Sequence, residues 1–238
     1  MKNKLILSCE HASNAIPKEY TNLFSPHSEL IQSHFGHDIG AELLFEAVEK
    51  QINADYSIKG LYSRLLIELN RSLHHNHLFS SITKPLDASV KDKIIQYYYT
   101  PYRESIEGQI QNYIQKGKGV IHLSIHSFTP LLNGKERTTD IGLLYNPSSS
   151  SEKALCKAWK LNLKAHFPNL VIRLNYPYLG KSDGLTTYLR KQFPENYSGI
   201  ELEIKNDLIE TPNWSLIEQG LIKSFKKSLP LMDKTITL

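Results

Sequence analysis

Seven short apolar runs punctuate the chain: KLILSC (4–9), YSIKG (56–60), RLLIEL (64–69), GVIHLSI (119–125), DIGLLY (140–145), LVIRL (170–174) and GIELEI (199–204). Their length and their branched aliphatics predict strands. Between them the spacing changes to that of a helix. In GAELLFEAVEKQI, Ala41, Leu44, Phe45 and Val48 fall at i, i+3, i+4 and i+7. In SIEGQIQNYIQKG, Ile106, Ile110, Tyr113 and Ile114 form a second stripe, and Gly117 supplies a stop. Each stripe fits one buried helical face. Residues 150–166, LTTYLRKQF and the C-terminal WSLIEQGLIKSFKKSL predict further helices. Strands alternating with helices imply an α/β protein whose mixed, largely parallel sheet lies between helices.

No repeat or low-complexity tract divides the 238 residues, so one domain spanning 1–238 is expected. NPSSSSEK (146–153) reads as a loop carrying the N-cap of the next helix. The formal net charge is +4, but the lysines are scattered and no aromatic stripe accompanies them. That pattern argues against nucleic-acid binding, which needs clustered charge. The surplus fits a site that prefers anionic ligands. The two cysteines, Cys9 and Cys156, have no metal or redox spacing, and a cytoplasmic location is the default. The N-terminus is basic and then apolar, but LILS is too short for the core of a signal peptide. No run approaches the ~18 apolar residues of a membrane span.

Several runs end in polar chemistry. KLILSC ends in Glu10-His11, RLLIEL in Asn70-Arg71, GVIHLSI in His126-Ser127 and LVIRL in Asn175; GIELEI carries Glu203 near its end. Open α/β sheets bind ligands beyond the carboxyl ends of their strands, so parallel strands would bring these residues together. Two histidines with carboxylates and no cysteine motif suit a catalytic Zn²⁺ with three protein ligands and one open position. His11 and His126 are the first two ligands. His122 shares a face with His126 but lies deeper in the strand, where it reads as a core or supporting histidine. The third ligand should be acidic. Asp38 in HFGHDIGAELL is the candidate, although an acid at a helix start is often only a cap.

Glu203 shares a strand face with Glu201. A glutamate inside a two-sided sheet is either ion-paired or a base for water on a metal. Arg71 could clamp a carboxylate, with a structural ion pair as its alternative. NYPYLGKSDG (175–184), with Tyr178, reads as a substrate-covering loop. HHNH (74–77) reads as an exposed loop rather than a second metal site. A nucleophilic Ser127 lacks the expected G-x-S-x-G elbow.

Taken together, CEHASNAIP, HFGHDIGA, SRLLIELNRS, HLSIHSF, DIGLLYN, NYPYLGKSDGLTTYL and GIELEIKNDLI resemble the shorter bacterial branch of the N-formylglutamate amidohydrolase family, in order, from residue 8 to about 209. The resemblance implies a phosphorylase/hydrolase-like fold akin to zinc carboxypeptidases. It also implies hydrolysis of an N-formyl or N-acyl amide of an acidic amino acid, a small anionic substrate. By position, the resemblance makes His11, Asp38 and His126 the metal residues, Glu203 the catalytic carboxylate, and Asn70 and Arg71 the motif's Asn-Arg pair. Ser127, Asn175 and Tyr178 complete the expected substrate contacts. Two departures matter. Lys205 stands where the motif suggests arginine, and Asn14 stands where a carboxypeptidase has a ligand glutamate. Glu10 and His37 therefore remain alternatives for the third ligand. A zinc peptidase or deacylase, and a binding relative without catalysis, are the competing readings.

Overall fold

The computed structural model describes residues 3–234; residues 1, 2 and 235–238, at the ends of the expected domain, lie outside the described residues. In chain order the elements begin with β1 (Lys4–Cys9), the short helices α1 (Thr21–Phe24) and α2 (Ser28–Gln32), α3 (Ala41–Gln51) and β2 (Tyr56–Lys59). Then follow α4 (Ala88–Ile94), α5 (Thr100–Gln115), β3 (Val120–Phe128), and a small hairpin of β4 (Leu131–Leu132) and β5 (Lys135–Glu136). The chain continues through β6 (Ile141–Leu144), α6 (Ser150–His166), β7 (Ile172–Leu174), α7 (Leu185–Gln192), β8 (Tyr197–Lys205) and α8 (Trp214–Ser228). The main sheet has the order β2-β1-β3-β8-β6-β7. Its neighbours are parallel except for β6 against β8. The expected mixed, largely parallel sheet between helices is therefore present.

Side-chain alternation gives the central strands two unlike faces. Leu5, Leu7 and Cys9 of β1, Ile121, Leu123 and Ile125 of β3, and Ile200, Leu202 and Ile204 of β8 enter one core with buried residues of α3, α6 and α8. The opposite face of the same strands carries Ser8, His122, Ser124, His126 and Glu203, all buried. A second core, with α5 and α7, closes over part of that face. Gly117, at φ +67°, follows α5 as the expected stop. Ser149 caps α6 by accepting from the Glu152 amide. Among the described residues, no helix is long and apolar enough to cross a membrane.

Two expectations fail here. RLLIEL is not a strand but a series of turns, with Leu66 N donating to Ser63 O and Arg71 N to Glu68 O. Leu65, Leu66, Ile67 and Leu69 are all buried, so the run has no alternation to place it in a sheet. LVIRL does form a strand, but β7 runs opposite to β1, β3 and β8, because it pairs parallel with β6 and β6 pairs antiparallel with β8. Its carboxyl end therefore does not join theirs, and the 175–184 loop must turn back across β6. There the loop passes so close that only glycine fits beneath it. A Cβ on Gly142 would meet the Tyr176 carbonyl oxygen at 2.0 Å and Glu203 Cβ at 3.2 Å. Gly142→Ala should cost about 1–3 kcal/mol of stability through overpacking. The denaturation midpoint, measured at constant m-value, checks this.

Candidate active site

Strands β1, β3 and β8 deliver the chemistry to one place. β1 runs directly into Glu10 and His11. β3 extends to Phe128, three residues past the apolar run, so His126 and Ser127 are within the strand rather than beyond it. In the β3–β8 register His126 lies beside Glu203, with Gly142 of β6 on the far side of Glu203. Asp38 enters from the loop before α3, where its amide donates to the His11 carbonyl at 3.0 Å. Its side chain makes no helix cap; α3 begins after Gly40 without one.

That carboxylate faces both imidazoles. Asp38 Oδ2 lies 3.1 Å from His11 Nδ1 and 2.9 Å from His126 Nδ1. One potential ligand atom from each of the three buried residues falls within 4.8 Å of the others. The rings' remaining nitrogens are held by further carboxylates. His11 Nε2 is bonded to Glu68 Oε1, and His126 Nε2 lies 2.9 Å from Glu10 Oε2 and 2.8 Å from Ser124 Oγ. Tyr102 donates to the other Glu10 oxygen at 3.0 Å. Carboxylates on both Nε2 atoms favour the tautomer with the proton there and the lone pair on Nδ1. Two lone pairs and a carboxylate oxygen then converge, an arrangement that suits a cation. Buried Glu10, Asp38 and Glu68 carry three negative charges, and Arg64 supplies one positive charge against them. The three acids therefore outnumber the cation paired with them, and a metal ion between neutral imidazoles would offset the excess.

Burial opposes a charge on His126, but hydrogen bonds to Asp38 and Glu10 win and hold its pKa well above the usual imidazole range. Burial likewise opposes ionised Asp38, yet His11, His126 and Arg64 keep its pKa well below the ordinary carboxylate range. Glu203 goes the other way. Burial raises its pKa to about 8 against the pull of His126, with Asp38 and Glu201 adding repulsion. Its Oε2 is buried and has no hydrogen-bond partner among the described residues.

The group borders a cavity of about 190 Å³ whose lining includes Asn70, Arg71, Ser127, Tyr178, Asp183 and Glu203. Asn70 Oδ1 accepts from the Leu185 amide at 2.6 Å and so ties the cavity wall to the start of α7. Arg71 Nη1 donates to the Asn70 and Asp183 carbonyls, at 2.9 and 2.8 Å, and among the described residues Arg71 forms no carboxylate ion pair. Ser127 Oγ donates to the Ile39 carbonyl at 2.7 Å. The Tyr178 hydroxyl accepts from Arg137 Nη2 at 2.9 Å. Asn175 is absent from the lining. Its side-chain oxygen accepts from Tyr145 N and Gly180 N, both at 3.0 Å, and holds the covering loop in shape.

The alternative ligands are placed elsewhere. Glu10 faces His126 from its far nitrogen, and His37 lies outside the His11–Asp38–His126 group. His122 bridges Ser8 Oγ and the Tyr197 hydroxyl, both at 2.7 Å. Lys205 is paired with Asp140 at 2.7 Å. His74, His75 and His77 form no metal-ligand cluster among the described residues. Larger clefts of about 440 and 560 Å³ exist near Tyr97 and Arg103, but neither includes the imidazole–carboxylate group.

The sequence reading missed Arg64 and Glu68. Arg64 Nε donates to Glu68 Oε2 at 2.8 Å, and Arg64 Nη1 donates to Asp38 Oδ1 at 3.1 Å. Both residues were hidden inside a run read as a strand. Their i, i+4 spacing, which brings side chains together only on a turning backbone, was the signal.

A mixed sheet that gathers imidazoles, carboxylates and an uncommitted arginine around a small cavity defines an α/β protein of the hydrolase type. The family model for N-formylglutamate amidohydrolase matches residues 3–210, and the chain belongs to that family. A gene product of Agrobacterium tumefaciens of known structure is 26% identical, with a TM-score of 0.82 over 98% of this chain and 93% of the other. N-formylglutamate amidohydrolase from Ralstonia eutropha shares the fold at 16% identity, with a TM-score of 0.70 over 99% of this chain and 96% of the other. No curated protein sequence matches the chain.

The raised Glu203 pKa makes a stability prediction for the metal-free protein. Between about 4.5 and about 8 the folded chain binds a proton that the unfolded chain releases. Stability contributed by that proton is complete below the lower value and is lost as pH rises toward the upper one. Glu203→Gln should therefore gain on the wild type by up to ~1 kcal/mol per pH unit across that window. Chemical denaturation at several pH values in chelator reads the difference.

Proposed function

We propose that the chain is a metal-dependent amidohydrolase that removes an N-formyl or N-acyl group from an acidic amino acid. The observation that carries this reading is the convergence of His11 Nδ1, His126 Nδ1 and Asp38 Oδ2 beside Glu203. Those three atoms would hold the ion, and two imidazoles with a carboxylate suit Zn²⁺. When bound, the ion supplies Lewis acidity to the scissile carbonyl and to the attacking water.

The remaining work falls to the chain's own groups. Glu203 Oε2, with no hydrogen-bond partner among the described residues, takes a proton from the attacking water as the new C–O bond forms. It returns that proton to the amine nitrogen as the C–N bond breaks, so the products are a carboxylate and a free amino acid. Its pKa, raised by burial, places the base near neutral pH before the ion's charge is counted. Arg64 is engaged by Asp38 and Glu68, whereas the hydrogen bonds of Arg71 among the described residues go to backbone carbonyls. Arg71 is therefore the better clamp for a substrate carboxylate. Asn70, fixed by the Leu185 amide, and Ser127 and Tyr178 border the substrate space and orient it. The small cavity favours an amino-acid-sized substrate over a peptide.

Released amine should be followed after adding N-formylglutamate, other N-acyl acidic amino acids and acylated dipeptides to zinc-loaded protein. Faster turnover of dipeptides would replace this reading with a peptidase. Binding without amine release would make the chain a non-catalytic relative. Glu203→Gln should lower kcat by about 10²–10⁴-fold while metal content stays at the wild-type level. Loss of the metal, or unchanged turnover, would remove Glu203 from its role. Arg71→Lys should raise KM by about 10–100-fold with little change in bound metal, because one ammonium cannot make the paired contact; steady-state kinetics with metal analysis measures both.

A further inference from the structure

We propose that Arg64 is a positioning residue that makes Asp38 a one-oxygen ligand of the divalent ion; this rests on the metal reading above. The Arg64 guanidinium spans two buried carboxylates. Nη1 donates to Asp38 Oδ1 at 3.1 Å, while Nε and Nη2 both donate to Glu68 Oε2. Each carboxylate is left with one oxygen turned inward. Asp38 Oδ2 faces both Nδ1 atoms and lies 3.4 Å from the Ser127 amide, and Glu68 Oε1 meets His11 Nε2. One planar cation thus sets the orientation of a ligand and of the group that orients a second ligand.

The consequence concerns coordination number. A carboxylate with both oxygens free can give one or two of them to an ion. With Oδ1 held by Arg64, Asp38 offers one, so three protein atoms would hold the ion and a position would stay open for water and substrate. Lysine could not reproduce this, because a single ammonium lacks the flat, multi-pronged geometry that reaches both acids. Arg64 also lines a second cavity of about 300 Å³ beside Phe79 and Lys84, so its removal would open the cluster to that space.

The test is Co²⁺ substitution of the full chain, read by visible absorption and by chelator competition. The wild type should show the intense bands of a four-coordinate site. Arg64→Gln and Arg64→Lys should each weaken the bands as Asp38 turns to give both oxygens, and should lower Co²⁺ affinity by about 10–100-fold. Circular dichroism verifies that the variants fold; a general loosening of structure would lower affinity without changing the coordination bands. Unchanged bands in both folded variants overturn the assignment to Arg64. Weak five- or six-coordinate bands in the wild type overturn it also, and that measurement decides the matter if neither variant folds. A wild type that takes up no Co²⁺ overturns the metal reading itself, which is a distinguishable failure.

Discussion

The cavity is organised around one carboxylate oxygen. Asp38 Oδ2 is shared by two imidazole nitrogens that arrive on different strands' ends, and each ring is braced from behind by its own acid. Removing any one of these charges would leave its partner buried and uncompensated, which is far costlier than losing a surface ion pair. The network therefore fixes where the His11 segment, the loop before α3 and the end of β3 must sit relative to one another. The rest of the site is built on that frame.

The sheet makes such a polar network tolerable by dividing its two faces. Branched aliphatics from β1, β3 and β8 pack against α3, α6 and α8 on one side. The other side receives Ser8, Glu10, His122, Ser124, His126 and Glu203, and most of these satisfy one another. Glu203 is the exception, with a buried oxygen that has no hydrogen-bond partner among the described residues. An unsatisfied buried acceptor costs stability, and such costs concentrate where a fold serves chemistry.

In the proposed reading, holding the substrate and orienting the metal ligand fall to different arginines because of what each already touches. Arg64 lies between two acids, and Arg71 donates to carbonyl oxygens among the described residues. The covering loop adds Tyr178 from above, while Asn175 at its base is used to shape the loop. These assignments turn on partners rather than on residue type.

The sequence by itself determined α3, α5, α6, α7 and α8, most of the strands and the candidate reactive groups, but not the short α1, α2 and α4. Period-two and period-3.6 patterns report which faces are buried, and a histidine or glutamate at the end of an apolar run is conspicuous in one dimension. Tertiary structure decided the direction of β7, the turns of residues 64–69, and therefore the placement of Asn175, Arg64 and Glu68. Strand direction depends on which neighbour supplies the hydrogen bonds, and a wholly buried run such as LLIEL has no alternation to reveal its backbone. Which acid faces the imidazoles' Nδ1 atoms and which braces their Nε2 atoms is likewise a matter of distance across the fold. Local sequence could propose Asp38, Glu10 and His37 together, but only packing set Asp38 between the rings and Glu10 behind one of them.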